Sequence, residues 1–405
     1  MNVVVSPSKL AGRVRVPASK SAAHRALICA ALADAPTRIG IRALNRDIEA
    51  TAACLRALGA GVEAAPEGLA VSPIQALPGQ AALDCGESGS TLRFLIPVAA
   101  ALGVPARFTG RGRLPERPNA LLTDALRAHG AAVDADLLPM NVRGPVRGGR
   151  WALPGNVSSQ YVTGLLFALP LLTEDSEIAL TTRLESSAYV DMTLGALARF
   201  GIGVDAVDGG WRVPGRQRYR SPGALDIEGD WSAAAFWLVA NAMGAHVDIE
   251  GLRDDTAQGD RAALDLMGRD VIDASNVPDL VPALAVAAAA RPGRTVITGA
   301  ARLRLKESDR LETVAALLRA LGHGVAVTPD GLVIEGGAPA PCAENIRTVD
   351  GANDHRVVMA AAVAAAFADG PVRVTGAEAV EKSYPDFFRD FEALGGRLHV
   401  ERAGE

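Results

Sequence analysis

Several short segments of the chain place lysine, arginine and serine where a helix is predicted to begin. The stretch VPASKSAAHRALICAALA (16–33) sets Lys20 between two serines, with Arg25 soon after and an alanine-rich run behind. Ser19 or Ser21 would cap such a helix. A helix N-terminus also offers free N–H groups and the positive end of the helix dipole, to which Lys20, Ser21 and Arg25 add charge and a hydroxyl group. This stretch alone therefore predicts either a capped helix start or an anion site, and leaves both open.

Three further segments combine glycine, hydroxyl and basic residues in a similar way. DCGESGSTLRFL (84–95) predicts a glycine-rich loop that enters a helix, and GRGRLPERPNALL (110–122) predicts a basic loop before another helix. NVSSQYVTGLL (156–166) puts two serines and a glutamine at a third helix start. A glycine turn and a solvated charged loop explain the first two segments equally well. Capping needs at most one of the three polar residues in the last segment, which favours ligand contact there.

Two segments of the second half place acids and bases side by side. RLRLKESDRLETV (302–314) has Lys306 and Arg310 at i and i+4 with Glu307 beside them, a spacing that an exposed helix face with salt bridges would also show. GANDHRVVMAAAVAAAF (351–367) sets Asp-His-Arg directly before an apolar helix, and a cap rarely needs all three. Function is therefore favoured for the second segment, whereas surface ion pairing is the simpler explanation of the first.

These charged helix starts belong to a chain that is acidic overall. Its 405 residues include 41 Lys and Arg against 46 Asp and Glu, a net charge of −5. This balance argues against a nucleic-acid binder, because contacts to a phosphate backbone need a basic face. The simplest arrangement brings the helix starts together at one cleft between two domains. Such a cleft would suit a pair of substrates with several negative charges.

Length and composition further restrict the class of protein. A chain of this length exceeds one ordinary hydrophobic core, so two domains are expected. The cysteines show no ligand spacing, which predicts reduced thiols and neither disulfides nor a zinc site. The longest apolar runs, 280–290 and 357–367, are too short to span a bilayer, and the N-terminus does not resemble a signal peptide. We therefore expect a cytoplasmic protein without a membrane partner. The cysteines are Cys29, Cys54, Cys85 and Cys342.

A repeat runs through the chain. Six times, the end of an amphipathic helix is followed by a glycine suited to a left-handed C-terminal position and then by an alternating strand. Near-even spacing of these endings predicts six copies of a unit with two helices and several strands, three copies in each domain. The marker glycines are Gly59, Gly130, Gly201, Gly268, Gly322 and Gly395.

Taken together, nine segments in this order resemble the 5-enolpyruvylshikimate-3-phosphate synthase family. The resemblance implies an α/β (α+β) fold: a two-domain inside-out α/β barrel of six βαβαββ repeats, three per domain. It implies one domain from residues 1–19 and 229–405 and the other from 20–228, with the active site in the cleft between them. The segments are SKSAAHRA, DCGESGSTLR, LPERP, SSQYVTGLL, SAYVDMTL, VPDLVPALAV, KESDRL, NDHRVVMA and EKSYPDFF.

The resemblance also implies a reaction and a set of site residues. The enolpyruvyl group of phosphoenolpyruvate would pass to the 5-hydroxyl of shikimate 3-phosphate through a tetrahedral intermediate that releases phosphate. Asp279 and Glu307 match the acid/base pair, and Lys20 is expected to be catalytic as well. Shikimate 3-phosphate would contact Lys20, Ser21, Arg25, Ser158, Ser159, Gln160, Ser186, Tyr189, Asp279 and Lys306. Phosphoenolpyruvate would contact Lys20, Gly89, Arg117, Gln160, Arg310, Arg356 and Lys382.

Neither a metal nor an organic cofactor is expected, and the chain is expected to be a monomer. The family implies glyphosate as an inhibitor at the phosphoenolpyruvate site.

Two residues depart from the family pattern: Glu87 and Arg302 stand where asparagine is common. The related transferase that acts on UDP-N-acetylglucosamine is a weaker match, because its mobile loop usually carries a cysteine that 110–118 lacks. A non-catalytic binding protein would not need Asp279 and Glu307 together.

Overall fold

The structure is a computed structural model that describes residues 1–340 and 346–401, so that Cys342 lies outside the described residues. It divides into two compact units, Met1–Pro17 with Gly229–Glu405 (the first unit) and Ala18–Glu228 (the second unit). The division falls two residues before the predicted end of the first segment at residue 19. Ser19 belongs to the second unit because its side chain caps a helix of that unit and its N–H donates to Glu228 O at 2.8 Å.

Helices make up the interior of each unit. They are α1 (Lys20–Ala31), α2 (Arg46–Ala57), α3 (Gly89–Leu102), α4 (Ala120–Ala128), α5 (Ser159–Ala168), α6 (Ser187–Arg199), α7 (Trp231–Ala242), α8 (Ala263–Leu266), α9 (Val281–Ala290), α10 (Arg310–Ala320), α11 (His355–Ala366) and α12 (Phe387–Ala393). Short 3-10 turns cover Leu114–Glu116, Leu169–Leu171, Gly259–Ala262, Pro278–Leu280, Ala301–Leu305 and Ala377–Lys382. No helix in the described part is both long enough and apolar enough to cross a membrane.

Strands form small sheets around these helices. They are β1 (Asn2–Ser6), β2 (Ala11–Arg15), β3 (Thr37–Gly40), β4 (Gly61–Ala65), β5 (Gly68–Ser72), β6 (Ala81–Asp84), β7 (Ala106–Thr109), β8 (Ala132–Val133), β9 (Met140–Arg143), β10 (Gly149–Leu153) and β11 (Ser176–Leu180). The later strands are β12 (Asp205–Val207), β13 (Gly210–Val213), β14 (Ala224–Asp226), β15 (His246–Glu250), β16 (Val271–Asp273), β17 (Gly293–Thr298), β18 (Gly324–Thr328), β19 (Gly331–Gly336), β20 (Arg347–Asp350), β21 (Val372–Thr375) and β22 (Arg397–Glu401).

Five of the six sheets among the described residues have four strands and one plan. In β6-β7-β9-β8, for example, β6 and β7 are parallel and joined through α3, while β9 pairs antiparallel with both β7 and β8. The same plan recurs in β10-β11-β13-β12, β14-β3-β5-β4, β16-β17-β19-β18 and β20-β21-β1-β22. The sixth sheet contains only β2 and β15, because short helical turns follow β15 where the other repeats form a hairpin.

The repeat predicted from the sequence is confirmed at its glycines. All six marker glycines have positive φ, from +73° at Gly201 to +103° at Gly130, a conformation that residues with a Cβ rarely adopt. Each therefore ends a helix and turns the chain into the following strand. Three sheets belong to each unit, so the α/β fold of six repeats is confirmed, with the one incomplete sheet noted above.

The helices lie inside and the sheets outside. All residues of α11 are buried, as are nearly all those of α3, α5 and α9. Within the second unit α3 packs on α5, and within the first unit α7, α9 and α11 pack on one another. Alanine at many of these contacts allows close approach of the helices. The polar first turns of such buried helices then need local partners, since their free N–H groups have little access to water.

Candidate functional site

The first predicted cluster lies at the start of α1 in the second unit. Ser19 Oγ accepts from Ala22 N at 3.4 Å, so this residue caps the helix. Lys20 Nζ donates to Asp47 Oδ2 at 2.8 Å, and the two side chains are only 15% and 11% exposed. Asp47 belongs to the first turn of α2. The sequence analysis did not identify Asp47, because only the fold brings residues 20 and 47 together.

Arg25 joins α1 to α6. Its Nε donates to Thr193 Oγ1 at 2.9 Å, one Nη donates to Ser21 O at 2.7 Å and the other donates to Tyr189 O at 2.6 Å. Burial lowers the pKa of this guanidinium to about 10. Arg25 thus holds the backbone of two other predicted site residues. Its expected contact with the sugar phosphate stays a prediction.

A glycine and an arginine meet at the start of α3. Ser88 caps this helix through a bond from Thr91 N, and Gly89 follows as its first residue. A Cβ added to Gly89 would lie 2.7 Å from one Nη atom of Arg117 and 3.0 Å from its Cζ. Arg117 is 6% exposed, its Nε has no hydrogen-bond partner, and within the described part of the chain it forms no ion pair. A bound anion would stabilise a buried cation in this state.

Arg93 forms contacts that the sequence analysis did not predict. Its Nη1 donates to Gln160 Oε1 at 2.7 Å and its Nε donates to Asn119 Oδ1 at 3.1 Å, while Gln160 Nε2 donates to Ser90 Oγ at 3.0 Å. Asn119 in turn donates to Arg117 O at 3.0 Å. Arg93 therefore fixes Gln160 and the Arg117 segment relative to α3. Long-range side-chain bonds of this kind leave no local pattern in a sequence.

The remaining residues predicted for the second unit lie at the starts of α5 and α6. Ser158 caps α5, with its Oγ accepting from Gln160 N at 3.3 Å, and Ser159 is buried as the first helical residue. Ser186 precedes α6 with φ of +57° and is 2% exposed. A non-glycine residue in the left-handed region carries backbone strain, and such strain occurs preferentially at functional sites.

The predicted residues of the first unit meet around one guanidinium. Arg310 is 1% exposed, and its Nη1 donates to Asp279 Oδ1 at 2.7 Å while its Nη2 donates to Glu307 Oε2 at 2.7 Å. A third carboxylate, Asp354, accepts from Arg310 Nε at 2.7 Å. Burial alone would lower the pKa of Arg310, but Asp354, Glu307 and Asp279 outweigh burial and raise it. The surface-helix explanation of residues 302–314 is therefore wrong.

Asp279 connects this guanidinium to two more cations. Its Oδ1 lies 3.4 Å from Lys306 Nζ, and its Oδ2 accepts from Arg356 Nη2 at 3.1 Å. Asp279 lies in the 3-10 turn Pro278–Leu280 that leads into α9. Five predicted residues are thus brought together by direct contacts: Asp279, Lys306, Glu307, Arg310 and Arg356.

Asp354 anchors the cluster although the sequence analysis gave it no role in binding. It is fully buried, caps α11 by accepting from Arg356 N at 3.0 Å, and accepts from Ser308 Oγ at 3.0 Å. The neighbouring Lys382 is 4% exposed and donates to Asn353 O at 2.6 Å. The start of α11 is therefore tied both to Arg310 and to the segment that carries Lys382.

The two residues that depart from the family pattern have identifiable surroundings. The Glu87 carboxylate lies against the backbone of Gly112, where an added Cβ would be within 2.7 Å of its Cδ. Arg302 donates to Ser275 O at 2.6 Å. Both contacts involve loops next to predicted site residues.

Comparisons with known proteins agree on one family. A model of EPSP synthase (3-phosphoshikimate 1-carboxyvinyltransferase) matches residues 4–275 and 268–391. The chain is 41% identical to a 3-phosphoshikimate 1-carboxyvinyltransferase of Clostridium kluyveri, with 98% of both chains covered. It is 38% identical to the protein of that name from Clostridium acetobutylicum, with all of both chains covered.

Solved structures show the same fold. An EPSP synthase from Acinetobacter baumannii superimposes with a TM-score of 0.81 at 24% identity, over 99% of this chain and 100% of that one. The enolpyruvyl transferase NikO from Streptomyces tendae gives a TM-score of 0.79 at 19% identity, over 98% of each chain.

The anchoring role of Asp354 leads to a stability prediction. Asp354→Asn should lower the free energy of unfolding by roughly 3 kcal/mol, because it removes a charge from a buried ion pair. The matched control is Asp309→Asn, which alters the partly exposed carboxylate that caps α10. Since asparagine also caps helices, the control should change stability by less than about 1 kcal/mol. Chemical denaturation measures both; equal losses would contradict the anchoring role.

Proposed function

Because the chain belongs to the EPSP synthase family, we propose that it transfers the enolpyruvyl group of phosphoenolpyruvate to the 5-hydroxyl of shikimate 3-phosphate and releases phosphate. The observation that carries this proposal is the pair of carboxylates, Asp279 and Glu307, bound to the same guanidinium of Arg310 at 2.7 Å each. One planar group thereby holds a base and an acid close together. Addition to a carbon–carbon double bond requires such a pair at adjacent reacting atoms.

In the proposed reaction Asp279 takes the proton of the 5-hydroxyl as its oxygen attacks C2 of phosphoenolpyruvate. Glu307 gives a proton to C3, which becomes a methyl group in the tetrahedral intermediate. Phosphate then leaves C2 and takes up the proton held by Asp279, while a methyl proton returns to Glu307 and the enol ether forms. No change of oxidation state occurs overall, so the step needs only proton transfer and charge stabilisation.

Cations of both units would neutralise the substrates. Phosphoenolpyruvate carries a phosphate and a carboxylate, which suit planar arginine forks and lysine charges. In the second unit, the buried Arg117 and the partly buried Lys20 support this role. In the first unit, Arg310, Arg356 and Lys382 are nearly completely buried. We propose that the two sets act in the same reaction.

The sugar phosphate is assigned to the hydroxyl-rich helix starts of the second unit. Ser21, Ser158, Ser159, Ser186 and Tyr189 would surround it. Arg25, Gln160 and Lys306 would complete this set. The strained backbone at Ser186 supports ligand contact there. Because Ser158 caps α5, Ser159 and Gln160 are not needed as caps. We further propose that the protein acts on small anions as a cytoplasmic monomer and binds neither nucleic acid nor membranes.

A phosphate-release assay tests the proposed function. The full-length protein is incubated with phosphoenolpyruvate and shikimate 3-phosphate, with each substrate alone, and with UDP-N-acetylglucosamine in place of the sugar phosphate. Release is expected only with the first pair. Release with UDP-N-acetylglucosamine, or none with shikimate 3-phosphate, would overturn the proposal.

The proposed role of Glu307 as the acid can be tested separately from substrate binding. Glu307→Gln should leave substrate binding nearly intact and slow turnover roughly 100-fold or more, since the amide cannot deliver the proton. Glu312→Gln in the first turn of α10 is the matched control, because Glu312 is more than half exposed and pairs only loosely with Arg304 at 3.6 Å. The readout is solvent deuterium in the methylene group of phosphoenolpyruvate during turnover. If deuterium exchange is as fast in Glu307→Gln as in the wild type, Glu307 is not the acid and another group supplies the proton.

Glyphosate, proposed as an inhibitor at the phosphoenolpyruvate site, provides a test of the Gly89–Arg117 contact. Gly89→Ala should weaken inhibition, because the new Cβ would lie 2.7 Å from an Arg117 nitrogen and displace the guanidinium. Gly195→Ala in α6 is the matched control, since nothing lies within 4 Å of its Cβ position. Inhibition constants are measured against phosphoenolpyruvate. Equal inhibition of Gly89→Ala and the wild type would refute the steric argument.

A further inference from the structure

A row of four buried polar side chains crosses the interior of the second unit. His24 of α1, Thr51 of α2, Thr91 of α3 and the α3 cap Ser88 are each at most 1% exposed. His24 Nδ1 lies 2.7 Å from Thr51 Oγ1, which lies 2.6 Å from Thr91 Oγ1, which donates to Ser88 Oγ at 2.8 Å. The row therefore links three helices by a continuous set of hydrogen bonds.

Counting hydrogens gives the row a direction. Each hydroxyl has one hydrogen to donate. Thr91 donates to Ser88 Oγ, with Asp47 O as its other acceptor, so Thr51 must donate in the bond between the two threonines. Thr51 then has no hydrogen left for the ring, and His24 Nδ1 has to be the donor to Thr51 Oγ1.

The environment of the ring agrees with this direction. Burial lowers the pKa of His24 well below its ordinary value, and Lys20 and Arg25 lower it further, so the ring carries one hydrogen. Its Nε2 is buried and has no hydrogen-bond partner among the described residues. A hydrogen on Nε2 would be an unsatisfied buried donor, which folded proteins rarely contain. The neutral ring with its hydrogen on Nδ1 avoids that cost.

The row joins helix starts that carry predicted site residues. Lys20 stands one helical turn before His24 and is bonded to Asp47, whose carbonyl lies 3.5 Å from Thr91 Oγ1. At the other end, Ser88 directly precedes Gly89, which contacts the guanidinium of Arg117. The row and the Lys20–Asp47 bond together therefore link the Lys20 ammonium to the Gly89–Arg117 contact.

We propose that His24, Thr51, Thr91 and Ser88 form a directed hydrogen-bond chain that positions Lys20 and the Gly89–Arg117 contact to bind phosphoenolpyruvate. The inference rests on the proposed function and assigns residues outside the predicted binding set. Valine has the shape of threonine but lacks its hydroxyl, so Thr51→Val keeps the packing at this position and interrupts the hydrogen-bond chain. The kinetic effect of removing one hydroxyl therefore separates positioning from packing.

The variant Thr51→Val tests the chain at its centre. It leaves the His24 Nδ1 hydrogen without an acceptor and Thr91 without a donor. The Michaelis constant for phosphoenolpyruvate should rise roughly three- to thirtyfold, since small misplacements of binding groups are costly. The Michaelis constant for shikimate 3-phosphate and kcat should change less than about twofold. Thr51→Ser, which restores the hydroxyl, should recover most of the loss.

The matched control is Thr37→Val in β3. Thr37 is also 1% exposed and also bonded to one hydroxyl, Ser221 Oγ at 2.7 Å, but belongs to no chain that reaches the site. It should leave all three kinetic constants near their wild-type values. Unchanged constants in Thr51→Val, or the same change in Thr37→Val, would overturn the inference while leaving the proposed function standing.

Nitrogen-15 spectra of the imidazoles test the direction of the chain in the wild-type protein, whether or not Thr51→Val folds. Assigned by comparison with His24→Gln, the His24 signals should show a protonated Nδ1 and a bare Nε2 at neutral pH. A protonated Nε2 or a doubly protonated ring would overturn the chain. Absence of phosphate release from the wild type would overturn the proposed function and, with it, the role in binding, but not the tautomer.

Discussion

A buried charge needs a nearby countercharge, and the first unit is organised around that constraint. Removing an arginine from water is costly unless carboxylates replace the solvent. Arg310 has three: Asp279, Glu307 and Asp354, all within 2.7 Å of its nitrogens. They come from the turn before α9, the loop before α10 and the cap of α11. Satisfying one guanidinium therefore fixes the starts of three core helices and brings together the two carboxylates that we propose as base and acid, Asp279 and Glu307.

The second unit meets the same constraint differently. Lys20 is paired with Asp47, whereas the buried Arg117 has no carboxylate partner among the described residues. Backbone and amide contacts through Arg93 hold its segment in place without neutralising it. An anionic substrate would provide the missing charge. Stability of the empty protein is then lower than it could be, a cost that functional sites commonly carry.

The sequence was sufficient to predict the repeat and to locate the helix starts with clustered polar residues, because both these clusters and the glycines at helix ends are local signals. It could not reveal the contacts that organise the site. Lys20–Asp47, Arg93–Gln160 and Arg310–Asp354 join residues 27, 67 and 44 positions apart. No spacing rule predicts such pairs, since they arise only when separate helices pack. For the same reason the residue pattern of 302–314, without the family resemblance, does not distinguish this segment from a surface helix, although Arg310 is buried.

Thermal unfolding of Arg117→Met, with and without substrates, tests most directly whether substrate supplies the missing charge. Methionine fills similar space without a charge to neutralise. We predict that the empty variant unfolds at a higher temperature than the empty wild type, and that phosphoenolpyruvate with shikimate 3-phosphate stabilises the wild type much more than the variant. A variant that is less stable than the wild type when empty, yet gains as much from the substrates, would contradict the account.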